Sequence, residues 1–405
     1  MGWTGGQYSL WRAALAIAVV TGLRPGMSAD NTGLLILVVV LALALALALA
    51  IGWYDRVVAC ALACAVLAID ALGHEPAFPA WIGDVVSGRA AVWYAGVLIL
   101  HASVPRAPFG SLEARGRVDP RGGWQRPQWQ ISAFWWLLAI VALGRLLTIL
   151  GANSLEAPSL GHPLSVSPNP DVAPLFLLLA SRVAHVAELL AALVGLTSKR
   201  ARPRMWVALV LWRIAWLFAF GADAHDAISL VILLGASDPG WWTGRSLRAG
   251  LSSTSKGDAP TPATVLPARL FYDGDCGFCH RSVRFILSEE LATPAPLCLR
   301  FAPLGSTTFG ERMAHHPGLD PASLPDSIVL ELEDGTILTR SAAALEIASR
   351  LGGFWRLLAL IGSRLPSRLL DAGYDGIARV RKRLFAAPKD ACPILPPDLR
   401  ARFDP

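Results

Sequence analysis

The chain has 405 residues and a formal net charge of +6, with 54% hydrophobic and only 16% charged residues. About a quarter of the residues in an ordinary soluble domain are charged, so this composition indicates a membrane protein. No stretch combines Lys and Arg with interleaved aromatic residues, and we therefore expect no nucleic-acid partner.

Apolar segments in the first 236 residues predict a polytopic α-helical membrane domain of about eight helices. A helix needs about 20 apolar residues to cross a bilayer, and the run GLLILVVVLALALALALAIG at 33–52 meets this need. The stretch 205–236 is too long for one crossing and breaks near Asp223, which favours two short spans. The predicted spans are 9–23, 33–52, 56–72, 89–104, 131–150, 173–196, 205–220 and 224–236.

The distribution of Lys and Arg predicts the orientation of these spans. The loops at 105–130 and 197–204 are rich in Arg and Lys, whereas the loops at 73–88 and 151–172 contain neither. Basic loops stay on the cytoplasmic side of a membrane. We therefore expect a multi-pass integral membrane protein, in contact with the lipid bilayer, whose termini and C-terminal domain are cytoplasmic.

Several ionisable residues fall within the predicted spans or at the bend between the last two. They are Arg182, His185, Glu188, Asp223 and Asp226. Charges in hydrocarbon are costly and normally face a cavity or a partner. Two interpretations stay open: a polar chamber between helices, or ion pairs that only hold helices together. In the second, Arg182 pairs with Glu188, and Arg213 pairs with Asp223 or Asp226.

The order of features over about 8–245 resembles the HTTM family, the transmembrane domain shared with vitamin K-dependent gamma-carboxylases. The resemblance rests on VLILHASVPRAPFGSLEARGRVDPRGGWQRPQW around 97–129, on SRVAHVAELL in the sixth span, and on ASDPGWW at 236–242. The carboxylase members use a membrane-embedded Lys as base. The fifth and sixth spans contain no Lys, and Arg145 cannot replace it because arginine stays protonated. We therefore do not expect carboxylation.

A stretch rich in Ser, Thr, Pro, Gly and Ala at 243–266 predicts a flexible linker between a membrane domain at 1–242 and a second domain at 267–405. The pattern in the second domain predicts the order β-α-β-α-β-β-α, which is typical of an α/β thioredoxin-like domain. Its predicted strands are 268–273, 297–304, 326–333 and 336–340, and its predicted helices are 276–290, 307–316 (short helix or loop), 341–352, 354–363 and 366–385.

A Cys-X-X-C motif formed by Cys276 and Cys279 stands where the first of these strands gives way to a helix. Unpaired N–H groups and the helix dipole favour a thiolate at the helix start. The thiolate attacks disulfides, so this pattern indicates thiol–disulfide exchange. We expect Cys276 to be the more exposed nucleophile and Cys279 the resolving thiol, supported by the positive charge of His280, Arg281 and Arg284.

Three further residues of this domain are candidates for the same chemistry. Asp273 either relays a proton to or from Cys279 or caps the helix through its carboxylate. Pro325 occupies the place where the thioredoxin-like fold keeps a cis-proline facing the motif. Cys392 is either a third redox thiol or a packing residue.

A structural zinc site is the competing interpretation of the motif, because one Cys-X-X-C supplies half of a tetrahedral site. The other half would come from Cys298, Cys392, His315 or His316. The sequence has no second Cys-X-X-C and no H-x₃₋₅-H pattern. We therefore expect no metal and no bound cofactor beyond the redox-active dithiol/disulfide.

The second domain closely resembles the DCC family of thiol-disulfide oxidoreductases (DUF393) over about 267–404. The resemblance lies in FYDGDCGFCHRSVRFIL, LRFAPL, LPDSIVLELEDG, TRSAAALEIASRLGG and DACPILPPDLRARF. The D-x-x-C-x-x-C of the family is present as Asp273, Cys276 and Cys279. The resemblance implies a protein-disulfide oxidoreductase (reductase), acting on a protein or small-molecule thiol or disulfide. HTTM and DCC modules in this order are a known architecture. The alternatives are a lipid- or quinone-handling membrane protein with a regulatory C-terminal domain, and a non-catalytic zinc-binding module.

Overall fold

The computed structural model is mostly helical, with a small mixed sheet in the C-terminal region. It describes residues 3–22, 32–73, 90–104, 110–112, 124, 126–151, 173–220, 224–242, 267–290, 299–316, 328–384 and 395–405. The chain divides into two compact units. The helical unit comprises Tyr8–Glu113 and Arg126–Asp238, and the sheet unit comprises Met1–Gln7, Ala114–Gln125 and Pro239–Pro405.

Each of the eight apolar segments predicted from the sequence is an α-helix. Their bounds lie within a few residues of the prediction, because long apolar runs with few Gly or Pro residues contain little that would interrupt a helix. The helices are α1 (Gly5–Gly22), α2 (Thr32–Ile51), α3 (Asp55–Gly73), α4 (Ala90–Ala102), α5 (Gln128–Gly151), α6 (Ala173–Thr197), α7 (Arg202–Phe220) and α8 (Ala224–Ala236).

Two helices in the described part of the chain are long and apolar enough to cross a membrane. They are Gly33–Ile51, with a mean hydropathy of 3.4, and Gln128–Leu147, with a mean hydropathy of 1.6. The helices α4 and α8 have 13 residues each, fewer than a straight crossing needs. A domain of eight crossings therefore stays a prediction.

The described residues of the sheet unit form four strands in the order β2-β1-β3-β4. Strands β1 and β2 are parallel, whereas β3 pairs antiparallel with both β1 and β4. The elements are β1 (Arg269–Tyr272), α9 (Gly277–Glu289), β2 (Arg300–Pro303), α10 (Thr307–Ala314), β3 (Val329–Glu331), β4 (Ile337–Thr339), α11 (Arg340–Leu351), α12 (Gly353–Gly362), α13 (Ser367–Leu384) and α14 (Pro397–Arg400). This order agrees with the predicted β-α-β-α-β-β-α, and the hairpin turns at Gly335, whose φ of 84° suits glycine.

The side chains of β1 alternate between two cores, as the period of a strand requires. Leu270 and Tyr272 pack in a large core on one face, together with α9 and α11. Phe271 packs on the other face, in a smaller core that contains Met313 of α10. The helix that carries the Cys-X-X-C motif and α10 therefore lie on opposite faces of the sheet.

Both ends of the chain contribute to the sheet unit. The buried carboxylate of Glu289, at the end of α9, accepts hydrogen bonds from Thr4 Oγ1, Gly6 N (2.8 Å) and Trp355 Nε1 (2.7 Å). Burial raises the pKa of Glu289 against the opposing effect of these donors. At the other end, Asp404 accepts from Arg269 Nε at 2.8 Å.

Candidate functional site

The turn between β1 and α9 places the first cysteine at the start of a helix. Cys276 is the N-cap residue of α9, and its Sγ accepts the backbone N–H of Cys279 at 3.3 Å. The carboxylate of Asp273 accepts the N–H of Asp275 at 3.0 Å. Of the two roles left open for Asp273, the capping of α9 is not observed, because the Cys276 sulfur takes the cap position.

Both cysteines are free thiols and both are buried. Each side chain is 2% exposed, and each belongs to the core between the sheet and α9. The expectation that Cys276 is the more exposed of the two is wrong. Its helix starts directly beneath the end of β1, so the first turn packs into the core.

The pKa of the Cys279 thiol is raised to about 12 by burial, and then by its hydrogen bond to Cys276 and by the negative charge of a Cys276 thiolate. The positive charge of Arg381 opposes this shift. Cys279 is therefore a thiol at neutral pH.

Two residues of α13 belong to this site and were missed in the sequence. The guanidinium of Arg381 is 3% exposed, and its Nη2 lies 3.8 Å from Asp273 Oδ2. The Tyr374 hydroxyl accepts the N–H of Ile328 at 3.1 Å. Arg381 and Tyr374 line an otherwise largely apolar cavity of about 290 Å³ that reaches Cys279. Their seven-residue separation puts them on one helix face, which is the one signal the sequence offers.

Known proteins identify the family of this region. A family profile described as DCC1-like thiol-disulfide oxidoreductase matches residues 270–387. The protein described as "Uncharacterized protein YuxK", from Bacillus subtilis (strain 168), is 35% identical over 136 residues. That alignment covers 34% of this chain and 93% of YuxK. The chain belongs to the DCC1-like thiol-disulfide oxidoreductase family. No solved structure matches it significantly.

The predicted positive residues of the DCC1-like domain lie on α9 but differ in environment. His280 is buried, and its Nε2–H donates to the Gly274 carbonyl at 2.8 Å, with its ring against the Tyr272 ring. This bond holds the turn that positions Cys276. Arg284 is half-buried further along α9, and Arg281 is exposed.

Some candidates of the DCC1-like domain cannot be placed. Pro325, Cys298 and Cys392 lie outside the described residues. His315 Nδ1 donates to the Glu311 carbonyl at 2.7 Å, and His316 pairs with Glu331. Within the residues that the structure describes, no group of three or more His, Cys, Asp or Glu side chains is arranged to hold a metal ion.

The residues proposed for a membrane chamber occur in the helical unit, apart from the DCC1-like domain in sequence. Arg213 of α7 pairs with Glu188 of α6 and with Asp226 of α8, the latter at 3.1 Å. Arg145 of α5 also pairs with Asp226, at 3.3 Å. In addition, His185 packs edge-on against Trp216 and Arg182 is half-buried, whereas Asp223 lies outside the described residues. The described carboxylates are thus bound by arginines from neighbouring helices.

Proposed function

We propose that this chain is a membrane-anchored thiol–disulfide oxidoreductase that reduces or exchanges disulfides through Cys276 and Cys279. The observation that carries the proposal is the position of Cys276 at the N-cap of α9, where its sulfur accepts a backbone N–H. Such donors favour a thiolate, which is the nucleophile of disulfide exchange. Membership of the DCC1-like family supports redox-active cysteines without an external cofactor.

The reduction proceeds in two exchanges. The Cys276 thiolate attacks one sulfur of the substrate disulfide, and the other substrate sulfur leaves as a thiolate. Cys279 then loses its proton and attacks Cys276 Sγ, which releases the second substrate thiolate and leaves a Cys276–Cys279 disulfide. The substrate gains two electrons and the dithiol loses two. The reverse sequence oxidises a substrate dithiol.

Asp273 and Arg381 are suited to the second exchange. Deprotonation of Cys279 is the difficult step, because burial raises the pKa of its thiol. We assign the proton to Asp273, whose carboxylate lies beside Arg381. The buried guanidinium of Arg381 stabilises the thiolate that forms at Cys279.

Reaction with a chromogenic aromatic disulfide tests this function. In the full-length protein with Cys60, Cys64, Cys298 and Cys392 changed to Ser, we expect two chromophore thiolates per reduced chain. The first comes from attack by Cys276, and the second comes from displacement by Cys279. Because the second exchange needs the Cys279 thiolate, and burial raises the pKa of that thiol, its rate should rise with pH above neutral. Release of one thiolate, without an intramolecular disulfide, would refute the proposal.

Changing Arg381 to Met is expected to slow the second release while leaving the first nearly unchanged. Loss of one nearby positive charge raises the pKa of Cys279 further, and a shift of about one unit lowers the thiolate fraction about tenfold. Arg381→Lys keeps the charge and should keep most of the rate. Arg379→Met, an exposed neighbour on α13, is the matched control. An equal loss in the Met and Lys variants would show that Arg381 acts only through packing.

We further propose that the helical unit is an HTTM-like multi-pass domain (1–242) in the bilayer, joined through the linker at 243–266 to a cytoplasmic redox domain at 267–405. The helices at all eight predicted segments and the two that meet the length and hydropathy criteria support this arrangement. The proposed partners are the bilayer and a thiol or disulfide substrate, with no nucleic acid.

Cysteine labelling tests the sidedness. In a background with all six native cysteines changed to Ser, Arg200→Cys and Glu311→Cys should resist an impermeant maleimide until the cells are permeabilised. Ser165→Cys should react in intact cells. Arg200 is chosen because it is exposed, whereas Arg202 is buried and donates to the Gly195 carbonyl. Labelling of Glu311→Cys and Ser165→Cys from the same side would place the redox domain outside.

A further inference from the structure

The segment formed by α12 and α13 exposes an unusual amount of aliphatic surface. Six large side chains of this segment are each between 44% and 61% exposed: Leu358, Leu360, Ile361, Leu369, Ile377 and Val380. Single exposed aliphatic side chains are normal on soluble proteins, but six of them on two helices that follow each other in the chain indicate an interaction surface. We call this set the apolar face.

On α13 the apolar face follows the helical period. Leu369 and Val380 are eleven residues apart, which keeps them on one side of the helix, whereas Tyr374 and Arg381 lie on the side that lines the cavity. Ile377 lies at the border between the two sides, because it is exposed and also lines the cavity. The helix therefore has an inner side that serves the dithiol site and an outer side that is apolar but exposed. Packing within the domain accounts for the inner side only.

On α12 the exposed residues belong to a helix that cannot span a bilayer. It has 10 residues, GFWRLLALIG, of which Phe354 and Ala359 are buried. Apolar segments of this length are typically core helices or re-entrant or interfacial segments. Since Leu360 and Ile361 are more than half exposed, a purely core position does not account for the sequence.

The charges beside the apolar face are positive. Arg364, Arg368 and Arg379 are exposed along the same segment. The two carboxylates of α12 and α13 bind residues of α11. Asp371 accepts a hydrogen bond from Ser341 Oγ at 2.5 Å, and Asp375 pairs with Arg340 at 3.5 Å. Leucine-rich apolar surface flanked by arginine is the pattern of helices that lie in the plane of an anionic membrane surface.

We propose that the apolar face of α12 and α13 docks on the surface of a bilayer that contains anionic lipid. The aliphatic side chains enter the headgroup boundary, and the three arginines contact lipid phosphates. Ile377 also lines the cavity that reaches Cys279, so docking would bring one rim of that cavity to the lipid surface. This inference is independent of the dithiol chemistry but rests on the proposed membrane attachment.

Photocrosslinking in nanodiscs tests the docking. The full-length protein carries p-benzoylphenylalanine at Leu360 or at Leu369, in discs of 70% phosphatidylcholine and 30% phosphatidylglycerol. Glu311, exposed on α10, is the matched control because α10 packs on the opposite face of the sheet. We expect about tenfold more lipid adduct at Leu360 and Leu369 than at Glu311. The combined change Arg364→Gln, Arg368→Gln and Arg379→Gln should lower these adducts several-fold, as should discs of phosphatidylcholine alone.

Each other outcome overturns the docking proposal. Adducts with the helices of residues 1–238 would show that the apolar face packs against another part of the same chain. Adducts with a second copy would show that the face is an interface of an oligomer. Equal lipid adduct at Glu311 would mean unspecific contact, and no lipid adduct at all would mean a solvent-facing surface. Failure of the protein to enter nanodiscs would overturn the proposed membrane attachment as well. The redox function is tested separately, by the release of two thiolates from the chromogenic disulfide.

Discussion

Changing Cys279 to Ser is expected to stop the reaction after its first exchange. Cys276 still attacks the substrate disulfide and releases one thiolate, but no second sulfur remains to displace the other. The product is a stable mixed disulfide at Cys276, detectable by intact mass and peptide mapping. Changing Cys276 to Ser should abolish the rapid first exchange, because the remaining Cys279 is a buried thiol and burial is the largest cause of its raised pKa.

The controls for this prediction are the two cysteines on α3. Cys60 and Cys64 are exposed, and changing both to Ser should leave the release of two thiolates intact. A reversal of roles is a real alternative, because Cys279 lines the cavity through which an apolar substrate would approach. Rapid mixed-disulfide formation at Cys279 in the Cys276→Ser variant would establish that reversal and contradict our assignment.

Changing Arg213 to Met is expected to destabilise the helical unit severely. Arg213 binds both Glu188 and Asp226, and all three side chains are buried. Removing one partner of a buried pair costs about 3–5 kcal/mol, because the remaining charge is buried without compensation. For a unit of this size, the melting temperature in detergent should fall by about 6–20 °C.

The result also decides between the two interpretations of the ionisable cluster. Arg200→Met, at an exposed position in the loop before α7, is the control and should change the melting temperature by little. If the cluster only holds helices together, His185→Ala and Glu188→Gln should lower stability. If those two variants keep wild-type stability but lose function in the full-length protein, the cluster is a ligand chamber. We expect the first result, because each described carboxylate is already bound by arginine.

The local pattern of hydropathy and turn residues was sufficient to predict the helices and strands that are described. The apolar run at 33–52 predicted α2 almost to the residue, and the strand predicted at 268–273 is observed as Arg269–Tyr272. The Asp334-Gly335 pair predicted the hairpin between β3 and β4. These features depend on neighbours along the chain, such as hydropathy period and turn residues, and a single sequence contains them.

Packing between segments that are distant in the chain could not be predicted from the sequence. Arg381 lies more than 100 residues after Cys279, and nothing local shows that α13 turns this guanidinium toward Asp273. The burial of Cys276 depends likewise on how the first turn of α9 packs beneath β1. The sequence offered Arg182 as a partner for Glu188, but the structure brings Arg213 to it from the next helix.

The number of membrane crossings shows a different limit. Helical period predicted eight helices, and eight are observed in the described part of the first 236 residues. Whether a helix crosses a bilayer depends on its length and on the cost of its charges in hydrocarbon, and these differ from the conditions for being helical. Residues such as Arg213 and Asp226 reduce the hydropathy of α7 and α8 and are tolerated because they are paired.

Equilibration against glutathione buffers tests whether Cys276 and Cys279 form a redox-active pair. The full-length protein is incubated over a range of ratios of reduced to oxidised glutathione, its thiols are alkylated, and the Cys276 and Cys279 peptide is followed by mass spectrometry. We expect one two-electron transition, in which both thiols disappear together and the peptide loses two hydrogens. The reduction potential should change by about 30 mV for each tenfold change in the equilibrium constant. A peptide that stays fully reduced under oxidising conditions, or that forms only separate glutathione adducts on each cysteine, would contradict this expectation.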